Sequence, residues 1–382
     1  MKILKKQKTK EVESHQNLLN ILKHEKDLKY IAFQNLDLRS MEDQLLEVQI
    51  SHCIFLGCDM SDELRHKLLR DHNLIFPKLD VPYNPYRAEL YTVGDLYQNY
   101  DPAIPESYED TQDYKIYHYF TKKGRYYPDS IFETLAQKLH DHSITDALMD
   151  ILEQIDERKI IGMMGGHGLR RDSSDYRKVA VLSKNLIEKG YFLLSGGGPG
   201  AMEATHLGAW MAGRAEGELS NAIRILSEAP HYTHALWLSK VFEVINQFPK
   251  KNKRITDIGI PTWLYGHEQA SPFASRIAKY FENSVREEGL LGLAFGGVVY
   301  TPGSAGTIQE IFQDATQNHY KSYDLVSPMI FLNQQYWTEE KPVYPLVYKL
   351  AEGKDYQRWL GIYDEPEQIL DHISRFNQSV NS

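Results

Sequence analysis

YFLLSGGGPGAMEA at residues 191–204 and VVYTPGSAGTIQE at residues 298–310 each join a short β-forming run to a helix-forming run through a glycine-rich turn. Such turns bring backbone N–H groups and a helix N-terminus to the carboxyl ends of parallel strands, where α/β proteins hold phosphate. Outward from them the same alternation continues. KIIGMMG (159–165) reads as a buried strand and YRKVAVLSKNLIEKG (176–190) as a helix closed by Gly190. After the helix GPGAMEATHLGAWMAG (198–213), NAIRILSEA (221–229) reads as a third strand and ITDIGIP (255–261) as a fourth. A long helix is expected over 271–288, then the strand GGVVYTP (296–302), the helix AGTIQEIFQDATQNHY (305–320) and the strand PMIFLNQ (328–334).

Continuous apolar strands separated by helices predict an α/β fold: a doubly wound, mostly parallel, Rossmann-like sheet over residues 151–382. The strand runs are too few and too unevenly spaced for an eightfold barrel. Residues 1–150 read as an N-terminal α/β extension. Within it QISHCIFLG (49–57), SDELRHKLLRDH (61–72) and NLIFPKL (73–79) suggest a short βαβ-like unit, and no solenoid repeat is visible. Residues 82–128 are dense in Pro, Tyr and Asp; this aromatic content predicts ordered loop and short helix, packed on a surface or lining the site. SIFETLAQKLHDHSITDALMDILEQI (130–155) is the helix that follows.

With 382 residues, 42% of them hydrophobic, and a net charge of −9, the chain has the composition of a soluble globular protein. No apolar run approaches membrane-spanning length, and the basic, polar start lacks a secretory apolar segment. Cys53 and Cys58 alone build neither a disulfide framework nor a four-cysteine metal site, so a reducing cytoplasm is expected. The acidic balance argues against a nucleic-acid partner, and KKNKR (250–254) reads as a solvated loop. His231, His234 and His267 lack the spacing of a third zinc ligand, so neither metal nor cofactor is expected.

The first glycine group is Gly196, Gly197, Gly198 and Gly200. It lacks the G-x-G-x-x-G spacing of a dinucleotide site, and the chain has no G-x-x-x-x-G-K-[ST] loop. In the second group, Gly303, Ser304, Ala305, Gly306 and Thr307 can cradle a phosphate with backbone N–H groups and two hydroxyls. Glu310, three residues after Thr307, fits either a capping box with Thr307 or a catalytic carboxylate. Gly165 and Gly166 form a third turn at the same sheet edge, with Arg170 beyond it able to reach an anion. Glu203 stands in the first turn of the helix after Gly200.

The pair GGG-x-G and P-G-x-x-G-T-x-x-E on this βα background resembles the LOG family of nucleoside 5'-monophosphate phosphoribohydrolases, over roughly residues 158–340. Pro302, Gly303, Gly306, Thr307 and Glu310 match its motif, and Ser304 stands where the family carries a second glycine. The resemblance implies a Rossmann-like homodimer, or a dimer of dimers, that binds a nucleoside monophosphate and releases free base and ribose 5-phosphate. It further implies Glu310 as the catalytic carboxylate with a catalytic arginine, Arg286 by spacing and Arg276 as second choice. In that scheme Glu310 activates water or stabilises the sugar cation, and Arg286 meets the phosphate or orients Glu310. Glu203 would orient a ribose hydroxyl. The alternative is a noncatalytic nucleotide-binding sensor with the same cradle, a reading favoured by Ser304 and the N-terminal extension.

Overall fold

The computed structural model describes residues 9–125, 127–128, 130–266 and 269–380. Contacts divide the chain into one unit containing Leu4–Leu90 and Lys122–Ile151 and another containing Tyr91–Thr121 and Leu152–Ser382.

The first unit is built from short parallel strands. β1 (Lys10–Val12), α1 (His15–His24), β2 (Asp27–Lys29), β3 (Ile31–Gln34), α2 (Glu42–Glu47), β4 (Gln49–Ser51), β5 (Ile54–Leu56), α3 (Asp62–Arg70) and β6 (Leu74–Phe76) follow in order. β1, β3, β5 and β6 lie side by side in chain order, and β2 pairs with β4. Ala32 pairs with Ile54, Asp27 with Gln49 and Asp37 with Asp59, each roughly 22 positions further on, within the period range of a solenoid. This corrects the expectation that no such repeat is present. The repeat is carried by conformation more than by identity: Tyr30, His52 and His72 share the left-handed region, with φ of 56°, 56° and 58°. Their rings stand 5.6 and 5.5 Å apart along the stack. Inside it Phe33 stacks on Phe55 at 4.7 Å, and both are fully buried. Asn73 closes the stack, its amide accepting from the Cys53 N–H and donating to the Ile50 and Leu68 carbonyls. α6 (Ile131–Leu152) follows in this half of the chain, after α4 (Val93–Leu96) and α5 (Gln112–Lys122), which belong to the second unit except for its last residue.

The second unit is an α/β protein with a seven-stranded sheet, every named strand pairing being parallel. Its strands are β7 (Ile160–Met164), β8 (Phe192–Ser195), β9 (Asp257–Gly259), β10 (Arg276–Ile277), β11 (Gly297–Tyr300), β12 (Met329–Leu332) and β13 (Leu360–Tyr363). The order β10-β9-β8-β7-β11-β12-β13 reverses direction between β7 and β11. The Rossmann-like reading therefore stands. Between and after the strands run α7 (Ser174–Glu188), α8 (Ala201–Trp210), α9 (Glu216–Leu226), α10 (Trp237–Gln247), α11 (Asn283–Leu293), α12 (Ala305–Tyr320), α13 (Val343–Leu350) and α14 (Pro366–Val380). β7, β8, β11 and β12 are buried at every residue, as a sheet covered on both faces requires. α8 lies close on α7 because Gly208 has no side chain; a Cβ there would stand 2.3 Å from the Ala180 carbonyl oxygen.

Two expected elements take another form. NAIRILSEA is not a strand: its first six residues are the second half of α9, whose buried Leu219, Ala222, Ile223 and Leu226 follow helical spacing. Reading from residue 221 misses the upstream half of that period, together with Glu218, which accepts from the Ala215 N–H. The helix expected over 271–288 starts only at Asn283. Before it Phe273, Ala274, Ile277, Ala278, Tyr280 and Phe281 are buried, and so are Ser271 and Lys279, two of the polar positions of the expected helix; β10 forms there instead. The Ala278 N–H donates to the Gly259 carbonyl and Ile277 exchanges both backbone bonds with Tyr91. Within the aromatic stretch Asp113 accepts from the Trp263 indole at 3.1 Å and pairs with Lys279 at 2.7 Å.

Candidate functional site

The reversal between β7 and β11 leaves the loops beyond their carboxyl ends to part, which is where open α/β sheets bind ligands. The two loops meet at the base of this crevice. The Gly166 N–H donates to the Pro302 carbonyl at 3.0 Å, and the Thr301 N–H to the Met164 carbonyl at 2.8 Å. Neither Gly165 nor Gly303 has room for a side chain at the junction. A Cβ on Gly165 would lie 1.9 Å from Thr301 Oγ1, and one on Gly303 would lie 2.2 Å from Thr307 Oγ1.

Above the junction opens a cavity of about 350 Å³. Gly165, Gly166 and His167 form one wall; Ser304, Ala305, Gly306 and Thr307 another; Met202, Tyr265, Arg286, Glu287, Gln309 and Glu310 complete it. Ser304, Ala305 and Gly306 are exposed at the start of α12. Ser304 is the N-cap residue but its hydroxyl makes no capping bond. The first-turn N–H groups thus have neither intrahelical partners nor a cap from Ser304, and they sit at the positive end of the helix dipole. The Gly303 carbonyl on the other side accepts from the Tyr336 hydroxyl and from Lys341 Nζ at 3.1 Å, which fixes the turn.

Glu310 does not complete a capping box with Thr307 as N-cap, since the helix begins three residues earlier than that reading requires. Its carboxylate Oε1 instead lies 3.3 Å from Arg286 Nη1, with the two side chains 13% and 6% exposed. Arg286 stands in the early part of α11, facing the first half of α12. Next to it Glu287 accepts from Gln309 Nε2 at 2.7 Å and from Asn283 Nδ2 at 2.5 Å. One turn beyond Glu310, the fully buried Asp314 accepts from the Tyr300 hydroxyl at 2.6 Å and from Asn318 Nδ2 at 3.0 Å. Burial pushes the Asp314 carboxyl up to about 7, against the opposing effect of the Tyr300 bond.

Gly165, Gly166, Ser304, Ala305, Gly306, Thr307, Arg286 and Glu310 therefore come together, with Gly303 supporting the turn. Gly196, Gly197, Gly198 and Gly200 do not line the cavity. At Gly196, Gly197 and Gly200 the lack of a side chain is consumed in packing: a Cβ on Gly196 would stand 2.5 Å from Met202 Sδ, Gly197 (φ +71°) lies against Gly259, and a Cβ on Gly200 (φ +68°) would stand 2.4 Å from the Gly166 carbonyl oxygen. Only Met202, two residues after Gly200, reaches the cavity from this segment. Glu203 is fully buried, held by Arg171 through contacts of 2.7 and 2.6 Å and by the Tyr176 hydroxyl at 2.6 Å. The expected ribose-orienting role does not fit that place. Arg170 is half-exposed and paired with Asp172 at 2.7 Å, and Arg276 lines a different cavity.

His167, Tyr265 and Glu287 are cavity residues that the sequence reading left out. Glu287 was within reach, being adjacent to Arg286, but Tyr265 and His167 sit on loops whose course no periodicity indicates. Among the described residues no group of three or more His, Cys, Asp or Glu is placed to hold a metal ion. His267 lies outside the described residues. No helix among the described residues is long and apolar enough to cross a membrane.

No family model matches the chain, and no curated protein matches it. Solved structures similar to it include the molybdenum cofactor binding protein from the phototrophic bacterium Rippkaea orientalis, at 18% identity and TM-score 0.36, over 58% of this chain and 97% of that one. Two structures of the molybdenum cofactor carrier protein from Chlamydomonas reinhardtii match at 15% and 16% identity, with TM-scores of 0.34 and 0.35. They cover 56% and 58% of this chain and 96% and 98% of theirs. The expected membership of the LOG family is corrected: no family model matches the chain. Phosphoribohydrolase activity, the nucleoside monophosphate ligand and the dimeric assembly rested on that resemblance and are withdrawn with it.

Proposed function

We propose that the second unit is a noncatalytic binding protein for a small phosphorylated molecule, held in the crevice between β7 and β11. One observation carries this reading: the exposed, side-chain-uncapped N-terminus of α12 forms a wall of a cavity at the reversal of strand order. The N–H groups of Ala305, Gly306 and Thr307 would receive the phosphate, with the Ser304 hydroxyl as a further donor. Arg286 would supply positive charge, tempered by Glu310, and His167 and Tyr265 would meet the body of the ligand. Glu310 and Arg286 thus act as binding residues here. The free, buried thiols Cys53 and Cys58 in the first unit fit a reducing cytoplasm.

Calorimetric titration of the full chain with inorganic phosphate and a panel of phosphate monoesters, molybdopterin included, tests the reading. Added atoms at Gly306 meet open space, so Gly306→Glu should fold normally while placing a negative charge against the phosphate. We expect binding at least tenfold weaker in that variant and no conversion of the bound ester by the wild type. Equal affinities in the two proteins, or turnover of the ester, would sink the proposal.

A further inference from the structure

At the amino ends of β9 and β10 lies a second cavity, of about 300 Å³, on the sheet edge opposite to the crevice. Its inner surface is apolar, formed by Trp210, Phe242, Ile245 and Pro272, while Lys250, Lys253, Arg254 and Arg276 line it as cations. No carboxylate belongs to its lining. Three of these cations come from KKNKR, the run whose bland reading is a solvated loop; a solvated loop has no reason to gather its charges with an arginine from a separate strand around an aromatic floor. Lys250 is partly neutralised by the fully buried Asp257 at 3.5 Å and lies 5.9 Å above the Trp210 ring. Lys253, Arg254 and Arg276 form no ion pair among the described residues; the Arg276 guanidinium donates only to its neighbour's carbonyl, at Ser275, 2.8 Å away. Like charges held together over apolar surface cost energy that an anion would recover.

We propose that this cavity is a second ligand site, independent of the first, for a small organic anion with a flat apolar body. The body stacks on Trp210 and Phe242, where both dispersion and burial favour a ring, and the anionic group faces the cluster of lysine and arginine. Because ligands of the crevice sit at the carboxyl ends of the strands, the two sites are on opposite edges of one sheet and do not share residues. Volume suits a compact ligand of one or two rings.

The probe is 1-naphthoate, an aromatic carboxylate without phosphate, titrated into the full chain by calorimetry. Saturable binding at one site is expected, at least tenfold weaker in the double variant Lys253→Ala with Arg254→Ala. Both residues are exposed, and an unchanged thermal midpoint will show that the variant is folded. Gly306→Glu, which burdens the other cavity, should bind the probe as the wild type does, and the uncharged 1-naphthalenemethanol should bind at least tenfold more weakly. Absence of saturable binding, indifference to the double substitution, or loss of binding in Gly306→Glu would each overturn the proposal.

Discussion

Gly303 and Gly306 stand three residues apart in one motif and have opposite physical situations. At Gly303 a Cβ would lie 2.2 Å from Thr307 Oγ1, 2.6 Å from Thr307 Cβ and 3.0 Å from the Gly166 nitrogen, none of which can retreat far. At Gly306 nothing stands within 4 Å. Gly303→Ala should therefore cost about 1–3 kcal/mol, as overpacking at a tight junction does. Gly306→Ala should be neutral or stabilising by up to about 1 kcal/mol, since alanine suits a helix better than glycine. Urea unfolding of both variants checks this, and equal losses would show that the junction is not tight. The motif made both glycines visible in the sequence and could not tell them apart. Nor could it show that Gly197 and Gly200 serve packing, because the backbone they approach, at Gly259 and at Gly166, is distant in sequence or set by the turn between strands.

Among the elements, those with a strong local signal were legible. β7, β8, β11 and β12 are apolar runs bounded by turns, and α7 and α12 carry full helical periods, so sequence and structure agree on them. α9 was missed where the reading window began inside the helix, and β10 because Ser271, Ser275, Lys279 and Glu282 fall at helical spacing among apolar residues, although Ser271 and Lys279 are buried. The repeat of the first unit escaped for a different reason. Its coils share a backbone path, but the residues along it differ, as with the exposed Tyr30, His52 and His72 at the same turn. Asn73 ends that path: its side chain makes three hydrogen bonds, each to backbone, from a position 6% exposed. Replacing it by alanine leaves one buried N–H and two carbonyls without this partner, so Asn73→Ala should destabilise the chain by about 2–4 kcal/mol. Thermal or urea unfolding will measure it, and a loss under about 0.5 kcal/mol would mean that the amide does not close the stack.

Across the whole molecule, two buried carboxyl groups of the second unit pull stability in opposite directions with pH. Burial raises Asp257, but His206, Lys250 and Ser275 outweigh it and hold the carboxyl at about 2. Its folded value being depressed, its stabilisation is present above about pH 4 and is lost as pH falls toward 2. Asp314 is the reverse, raised to about 7, so the folded state holds its proton more tightly and the advantage is lost as pH rises from about 4 through 7. Asp314→Asn should accordingly flatten the decline in stability between pH 4 and 7, and Asp257→Asn should remove part of the decline below pH 4. Stability curves of the three proteins from pH 2 to 9 will show it; a wild type and Asp314→Asn of the same slope between pH 4 and 7 would contradict this picture.

The strand order that creates the crevice was only partly legible in the sequence, because β13 carried no recognised signal and the direction of each crossover is settled by packing. Two glycine turns therefore looked like a pair when the true neighbours are the turns after β7 and β11. The claim that depends on this arrangement is that phosphate sits on the N-terminus of α12. Amide chemical shifts of Gly306 and Thr307, followed by ¹⁵N–¹H NMR while a phosphate monoester is added to the full chain, test it most directly. The account predicts downfield, saturable shifts of both amides, with the Gly196, Gly197 and Gly198 amides perturbed far less; unmoved α12 amides with binding detected elsewhere would contradict it.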